Sequence, residues 1–216
     1  MRPGCGTRDA GLVNSVSQNW AQFTGTFWMG TSMSTRSATA RRRSLPAGRS
    51  APRPAITSGA RRSYKHTVVD ALTENTVWWD GNRKMTQAQF VLLYNDFLAH
   101  AKGQALFAQD FYDGADPKYR IKTRIYTELS WHSLFIHQLL IRPERSSLAS
   151  FVPELTIIDM PSFRPDAKRH GGREGSDTMV AINFTRKIVL ICGSSYAGEI
   201  KKAVFTTLNF TCRRKV

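Results

Sequence analysis

The sequence predicts an α/β domain, a mixed sheet flanked by helices, and three observations carry that expectation. Short apolar runs of strand length recur from position 66 onward, among them "HTVVD", "ELTIIDM", "TMVAINF" and "IVLIC". Between them lie stretches whose apolar residues return every three or four positions, the helical period. Breaks rich in Gly, Asp and Pro, such as "DGADP" at 113–117, separate the two kinds of segment. The 216 residues suffice for one ordinary domain with a tail. We place the domain at 64–210, after a basic extension at 1–63 and before a short aberrant tail at 211–216.

Taken in order, "HTVVD" (66–70) and "TVWWDG" (76–81) read as short strands or their ends. Thr86 can cap a helix over "QAQFVLLYNDFLAHAKG", where Phe90, Leu93, Phe97 and Ala101 share a face and Gly103 can end it. "ALFAQDFY" (105–112) reads as a strand, and "YRIKTRIYTE" (119–128) as a strand with one wet face. "LSWHSLFIHQLLI" (129–141) reads as an apolar helix stopped by Pro143. "ELTIIDM" (154–160) is a strand before a long loop, "TMVAINF" and "IVLIC" form a buried hairpin, and Ile200, Val204 and Leu208 mark a last helix.

Composition narrows the function classes. The net charge is +15, yet residues 1–65 hold 11 Lys/Arg against one acid, so +10 lies there and +5 on the remainder. Stretches such as "TRSATARRRSLPAGRSAPRPAITSGARRS" are too polar to offset the entropy of ordering, so 1–63 is expected to be a disordered Arg/Ser-rich extension. Nucleic acid is therefore not the expected partner of the domain, although a basic nucleic-acid-binding protein is the second reading. No run of eighteen apolar residues occurs, so no membrane helix is expected. Three cysteines, at 5, 192 and 212, make neither a disulfide framework nor a zinc pattern, and a reducing cytoplasm is expected.

The stretch that carries chemistry is "GSSYAGEIKK" (193–202), directly after "IVLIC". A strand that opens into a Gly-rich loop and then a helix is a common place for an anion. Gly193 and Gly198 have the glycine spacing of a phosphate loop, but Glu199 and Ile200 follow where that loop needs Lys and Ser or Thr. Tyr196 can hydrogen-bond a substrate oxygen. Lys201 and Lys202 can hold a carboxylate or phosphate, or, when neutral, a metal; a Lys pair is also an ordinary solvated helix face.

The whole segment "FTRKIVLICGSSYAGEIKKAVFTTLNF" (184–210) resembles the ATP-dependent phosphoenolpyruvate carboxykinase family, whose signature is Tyr-x-Gly-Glu-x-Lys-Lys after a strand and a Gly-rich turn. "TENTVWWD", "LFAQDFYDGADP", "RIYTELSWHSLFIHQLLIRPE" and "FVPELTIIDMPSFRPD" match the family in its order, over about 64–210. The resemblance implies the N-terminal domain of that fold. It implies the gluconeogenic conversion of oxaloacetate and ATP to phosphoenolpyruvate, carbon dioxide and ADP, with manganese and magnesium-ATP in the intact family. It makes Tyr196 the contact to oxaloacetate or phosphoenolpyruvate and Gly198 the glycine that leaves substrate room. Lys202 becomes a manganese ligand and substrate contact, and Lys201 the lysine that handles the transferred phosphate.

Two departures accompany the match. The family's Thr-Gly-Arg-Ser-Pro-Lys-Asp-Lys stretch, whose arginine grips the substrate carboxylate, corresponds to "TSGARRSYKHTVVD" (57–70). Gly59 and either Arg61 or Arg62 remain as candidates, with Arg62 carried forward. Cys192 stands where the family has glycine and is expected to add bulk beside the loop. The sequence also contains no G-x-x-x-x-G-K-[ST] loop, and "LNF" is followed by "TCRRKV". The expectation is a fragment without the nucleotide-binding domain, inactive by itself, with exposed apolar surface, or a non-functional gene remnant. His132 and His137, Trp78 and Trp79, and Asp110, Asp113 and Asp116 are expected to serve structure: satisfied histidines, packing residues and turn carboxylates respectively.

Overall fold

The computed structural model describes residues 64–215, and the side chains of 64–212. The candidate arginines Arg61 and Arg62, together with Gly59 and the expected extension, lie outside the described residues.

Seven strands form one sheet in the order β2-β1-β6-β7-β5-β4-β3. They are β1 (Lys65–Val68), β2 (Arg83–Met85), β3 (Phe107–Asp113), β4 (Ile121–Thr127), β5 (Leu155–Met160), β6 (Met179–Asn183) and β7 (Ile188–Cys192). The sheet is mixed. β3–β4 and β6–β7 are antiparallel, and the other four pairings are parallel. Every residue of β5, β6 and β7 is buried, as central strands covered on both faces require. That coverage is why their sequences are continuous apolar runs and not alternations.

Helix α1 (Gln87–Ala101) covers one face with Phe90, Leu93, Tyr94, Phe97 and Ala101, packed on Val68, Met85, Ile158, Met160, Leu190 and Cys192. Thr86 closes its start with a capping box: Gln89 N donates to Thr86 Oγ1 at 3.2 Å, and Thr86 N donates to Gln89 Oε1 at 2.9 Å. Gly103 follows the helix at φ +80. Thr86→Ala is expected to lower stability by about 1 kcal/mol, read as a shift of the urea midpoint with unchanged slope. The opposite face carries α2 (Ser130–Leu139) and α4 (Gly198–Lys215), with Ile136, Ile200, Ala203 and Val204 against Ile125, Ile157, Val180, Val189 and Ile191. A short α3 (Ala167–His170) interrupts the loop after β5.

Three local expectations change. "TVWWDG" is not a strand: 71–77 is a turn, and Trp79–Gly81 is a 3-10 segment. Trp78 is 63% exposed, so it is no core residue, although its ring packs tightly over Gly81. Of the three aspartates, only Asp116 does turn chemistry, accepting from Lys118 N at 2.8 Å. Asp110 and Asp113 lie in β3: Asp110 pairs with Arg124 Nε at 2.6 Å and Nη2 at 2.9 Å, whereas Asp113 is buried against Thr123. The outer face of α2 leaves Trp131, Leu134, Phe135 and Leu139 exposed, in line with the expected apolar surface.

Candidate functional site

The site forms where β7 leaves the sheet and α4 begins. Gly193 turns the chain at φ +67, and a Cβ there would collide with the carbonyl oxygen of Asp177. Its own carbonyl accepts from Arg164 Nη1 at 2.9 Å and Thr178 Oγ1 at 3.2 Å. Tyr196 N donates to Ser194 Oγ at 3.2 Å. The amides of Glu199 and Ile200 close onto the carbonyls of Tyr196 and Ala197 at 3.0 and 3.1 Å. The loop is thus pinned along its length, and it delivers Tyr196 half-exposed at the mouth of α4.

Tyr196, Gly198 and Lys202 come together. Lys202 Nζ sits 5.0 Å from the centroid of the Tyr196 ring, within cation–π range. The ring folds back over Gly198: a Cβ there would lie 2.5 Å from Tyr196 Cζ and 2.7 Å from its hydroxyl oxygen. In this structure the room made by Gly198 is filled by the tyrosine ring. Lys202 Nζ also donates to Glu199 Oε1 at 2.8 Å, and Glu199 is 1% exposed. A buried carboxylate thereby fixes a half-exposed ammonium one turn away. Lys201 does not join them. Consecutive helical residues diverge by about 100°, and Lys201 is exposed while Lys202 is half-buried.

Sequence reasoning missed residues that only the sheet register assembles. Lys65, Val180, Ile191, Asp159 and Thr127 are successive cross-strand partners. Such partners project to one side of a sheet. Val180 and Ile191 pack with Ile200, so this row lies beneath the start of α4. Burial holds the Lys65 ammonium below the ordinary lysine value, Glu199 partly restores it, and Lys202 lowers it further. Lys65 therefore belongs to the same electrostatic neighbourhood. At Asp159, burial raises the carboxyl to about 6 against the pull of His132. Burial alone would lower His132; its bond to Asp159 and that group's charge outweigh burial and hold the imidazole above its ordinary value. Cys192 turns to the other face, fully buried in the α1-side core, so its bulk is taken up there and not by the loop.

His132 and His137 are both satisfied: His132 by Asp159 and the Ser195 carbonyl, His137 by Gln109 at 2.7 Å and Arg142 at 3.0 Å. Among the described residues no group of three or more His, Cys, Asp or Glu could hold a metal ion. Lys202, hydrogen-bonded to Glu199 as an ammonium, has no lone pair to give. The residues here do not by themselves fit a divalent ion. Among the described residues no helix is long and apolar enough to cross a membrane.

A family model for phosphoenolpyruvate carboxykinase matches residues 48–216, reaching past both ends of the expected domain. Curated relatives named phosphoenolpyruvate carboxykinase (ATP) include one from Rhodopseudomonas palustris (strain TIE-1), 64% identical over 155 residues. Another, from Nitrobacter winogradskyi, is 63% identical over 155 residues. A third, from Bradyrhizobium diazoefficiens, is 66% identical over 146 residues. These alignments cover 72%, 72% and 68% of this chain but only 28%, 28% and 27% of the relatives. The Tyr-x-Gly-Glu-x-Lys-Lys turn, the sheet that carries it and these matches agree: the chain belongs to the ATP-dependent phosphoenolpyruvate carboxykinase family.

Proposed function

We propose that the Tyr196–Lys202 face is the substrate-side half of a carboxykinase site, binding oxaloacetate and its product phosphoenolpyruvate. The observation that carries this reading is the convergence of the Tyr196 ring and the Lys202 ammonium on one side of a pinned loop, 5.0 Å apart. In the reaction the bond between C3 and C4 of oxaloacetate breaks, carbon dioxide leaves, and the electron pair becomes an enolate. The enolate oxygen then takes the γ-phosphoryl group of ATP, and ADP departs. Negative charge grows on the enolate and spreads over the migrating phosphoryl, so fixed cations lower the barrier.

Each residue has a part in that reading. The Lys202 ammonium, held by Glu199, faces the enolate oxygen. The Tyr196 hydroxyl donates to a substrate carboxylate, and its ring shields Lys202 from water. Lys201, on the neighbouring helical azimuth, meets the phosphoryl group as it arrives. Gly198 lets the Tyr196 ring swing, which opens room for substrate. Arg62 is assigned to grip the substrate carboxylate. In the family name the nucleotide is ATP; the 216 residues contain no G-x-x-x-x-G-K-[ST] loop to cradle its phosphates. The chain of these 216 residues is therefore expected to bind substrate without turning it over. Among the described residues Cys192 and Cys212 are free thiols, which suits a reducing cytoplasm. No observation favours the nucleic-acid reading.

The test is a titration with phosphoenolpyruvate followed by calorimetry. Lys202→Ala is expected to weaken binding about tenfold or more, the effect of losing one charge-assisted contact. Equal affinity in Lys202→Ala and the unmodified chain would refute the assignment.

A further inference from the structure

The loop that carries Tyr196 is held from below by a buried ion pair that the catalytic reading does not use. His132 lies on α2 and Asp159 near the end of β5, and they are 0% and 1% exposed. His132 Nδ1 hydrogen-bonds Asp159 Oδ2, and on the opposite side of the ring Nε2 meets the carbonyl oxygen of Ser195 at 3.1 Å. Ser195 immediately precedes Tyr196. A carbonyl oxygen only accepts, so the contact requires the proton on Nε2. That leaves Nδ1 facing the carboxyl group, where a second proton is shared: imidazolium with carboxylate, or imidazole with carboxylic acid. Both forms keep the Nε2–H pointed at Ser195.

We infer that the His132–Asp159 pair is a positioning device that clamps the Ser195 carbonyl and so fixes the Tyr196 ring relative to Lys202. This deepens the substrate-site reading and rests on it for its functional meaning. The clamp itself is a property of the ligand-free chain. Its logic follows from the proton count. Once the shared proton is lost, the remaining one is drawn to Nδ1 beside the carboxylate. Nε2 then opposes the Ser195 oxygen lone pair to lone pair, and the loop is released. Glu128 raises both members and Glu199 raises Asp159, so the surrounding carboxylates favour retention of the shared proton. Cys192, raised well above the ordinary thiol value by burial and then by Asp159, stays neutral and adds no opposing charge. Trp131 packs edge-on against the imidazole at 4.1 Å and limits its rotation.

The experiment uses the full 216-residue chain without ligand. Long-range proton–nitrogen spectra of the wild type are expected to show His132 protonated at Nε2; an unprotonated Nε2 would overturn the clamp. Hydrogen exchange is then compared in His132→Asn and His132→Gln. Asparagine can replace Nδ1 but not reach Ser195, whereas glutamine can place an amide N–H where Nε2 was. Protection at Tyr196, Glu199 and Ile200 is expected to fall about tenfold in His132→Asn, the worth of one hydrogen bond. It should return in His132→Gln, with the amides of β5 and β7 following global stability in both. Equal loss in the two variants, or no loss in either, would overturn the inference. Phosphoenolpyruvate titration of the same proteins keeps the two claims apart. If the unmodified chain does not bind while the exchange pattern holds, the substrate reading fails and the clamp stands.

Discussion

The stability of this chain is expected to fall as pH rises from about 4 to about 7, and Asp113→Asn is expected to remove much of that fall. Asp113 ends β3 and is 1% exposed. Thr123 Oγ1 donates to its Oδ2, while Oδ1 has no partner among the described residues. Burial raises its carboxyl to about 7, against the opposing pull of the Thr123 hydroxyl. The sign follows from linkage. The folded value lies above the unfolded one, so the contribution is fully present below the unfolded value and lost as pH passes the folded value. A displacement of about three pH units corresponds to roughly 4 kcal/mol. Asparagine keeps an acceptor for Thr123 and cannot ionise. Urea midpoints measured across this range should converge at low pH and separate at neutral pH, with Asp113→Asn the more stable. Curves that stay parallel would show that Asp113 is solvated or paired. Asp159, raised to about 6, contributes a residual slope of the same sign in both proteins.

Gly193→Ala is expected to cost about 2 to 5 kcal/mol, combining two penalties. A left-handed backbone disfavours any Cβ by about 1–2 kcal/mol, and Gly193 sits at φ +67. Its Cβ would also meet the Asp177 carbonyl, a backbone atom that cannot swing away. Gly103→Ala is the internal control: φ is +80, but nothing lies within 4 Å of the added carbon. It should show the conformational penalty alone. Equal losses at the two positions would mean that the loop at Asp177, just before β6, yields freely. In Gly193→Ala the contacts from Arg164 and Thr178 to the Gly193 carbonyl should break, and loss of phosphoenolpyruvate binding should accompany the loss of stability.

Most of the sheet was legible because its strands announce themselves. β5, β6 and β7 are buried on both faces, and their continuous apolar runs say so without reference to anything distant. The α1 start was equally readable, since Thr86 and Gln89 cap it within one turn. "TVWWDG" misled because two tryptophans carry strand propensity, whereas the Asp70 and Thr73 hydrogen bonds wind the segment before it into turns. At the site, Tyr196 and Lys202 were visible as a short-range motif, and Glu199 lies three residues before Lys202, the spacing of a helical ion pair. Lys65 and Asp159 were not visible as neighbours. They stand 94 positions apart and are joined only through partners on β6 and β7. The His132 clamp also depends on contacts 27 and 63 residues distant, which no local pattern encodes. The division of the lysine doublet into one exposed and one half-buried residue follows from helix geometry once the helix is placed.

The central claim, a substrate-anion site on the Tyr196–Lys202 face, is tested most directly by watching where phosphoenolpyruvate lands. With the chain nitrogen-labelled and the anion titrated at physiological salt, the resonances of Tyr196, Gly198, Glu199 and Lys202 should move together and saturate. Lys202→Ala should move that response to about tenfold higher anion concentration or beyond. Shifts confined to the Arg-rich segment before Tyr64, with the loop after β7 silent, would contradict the account.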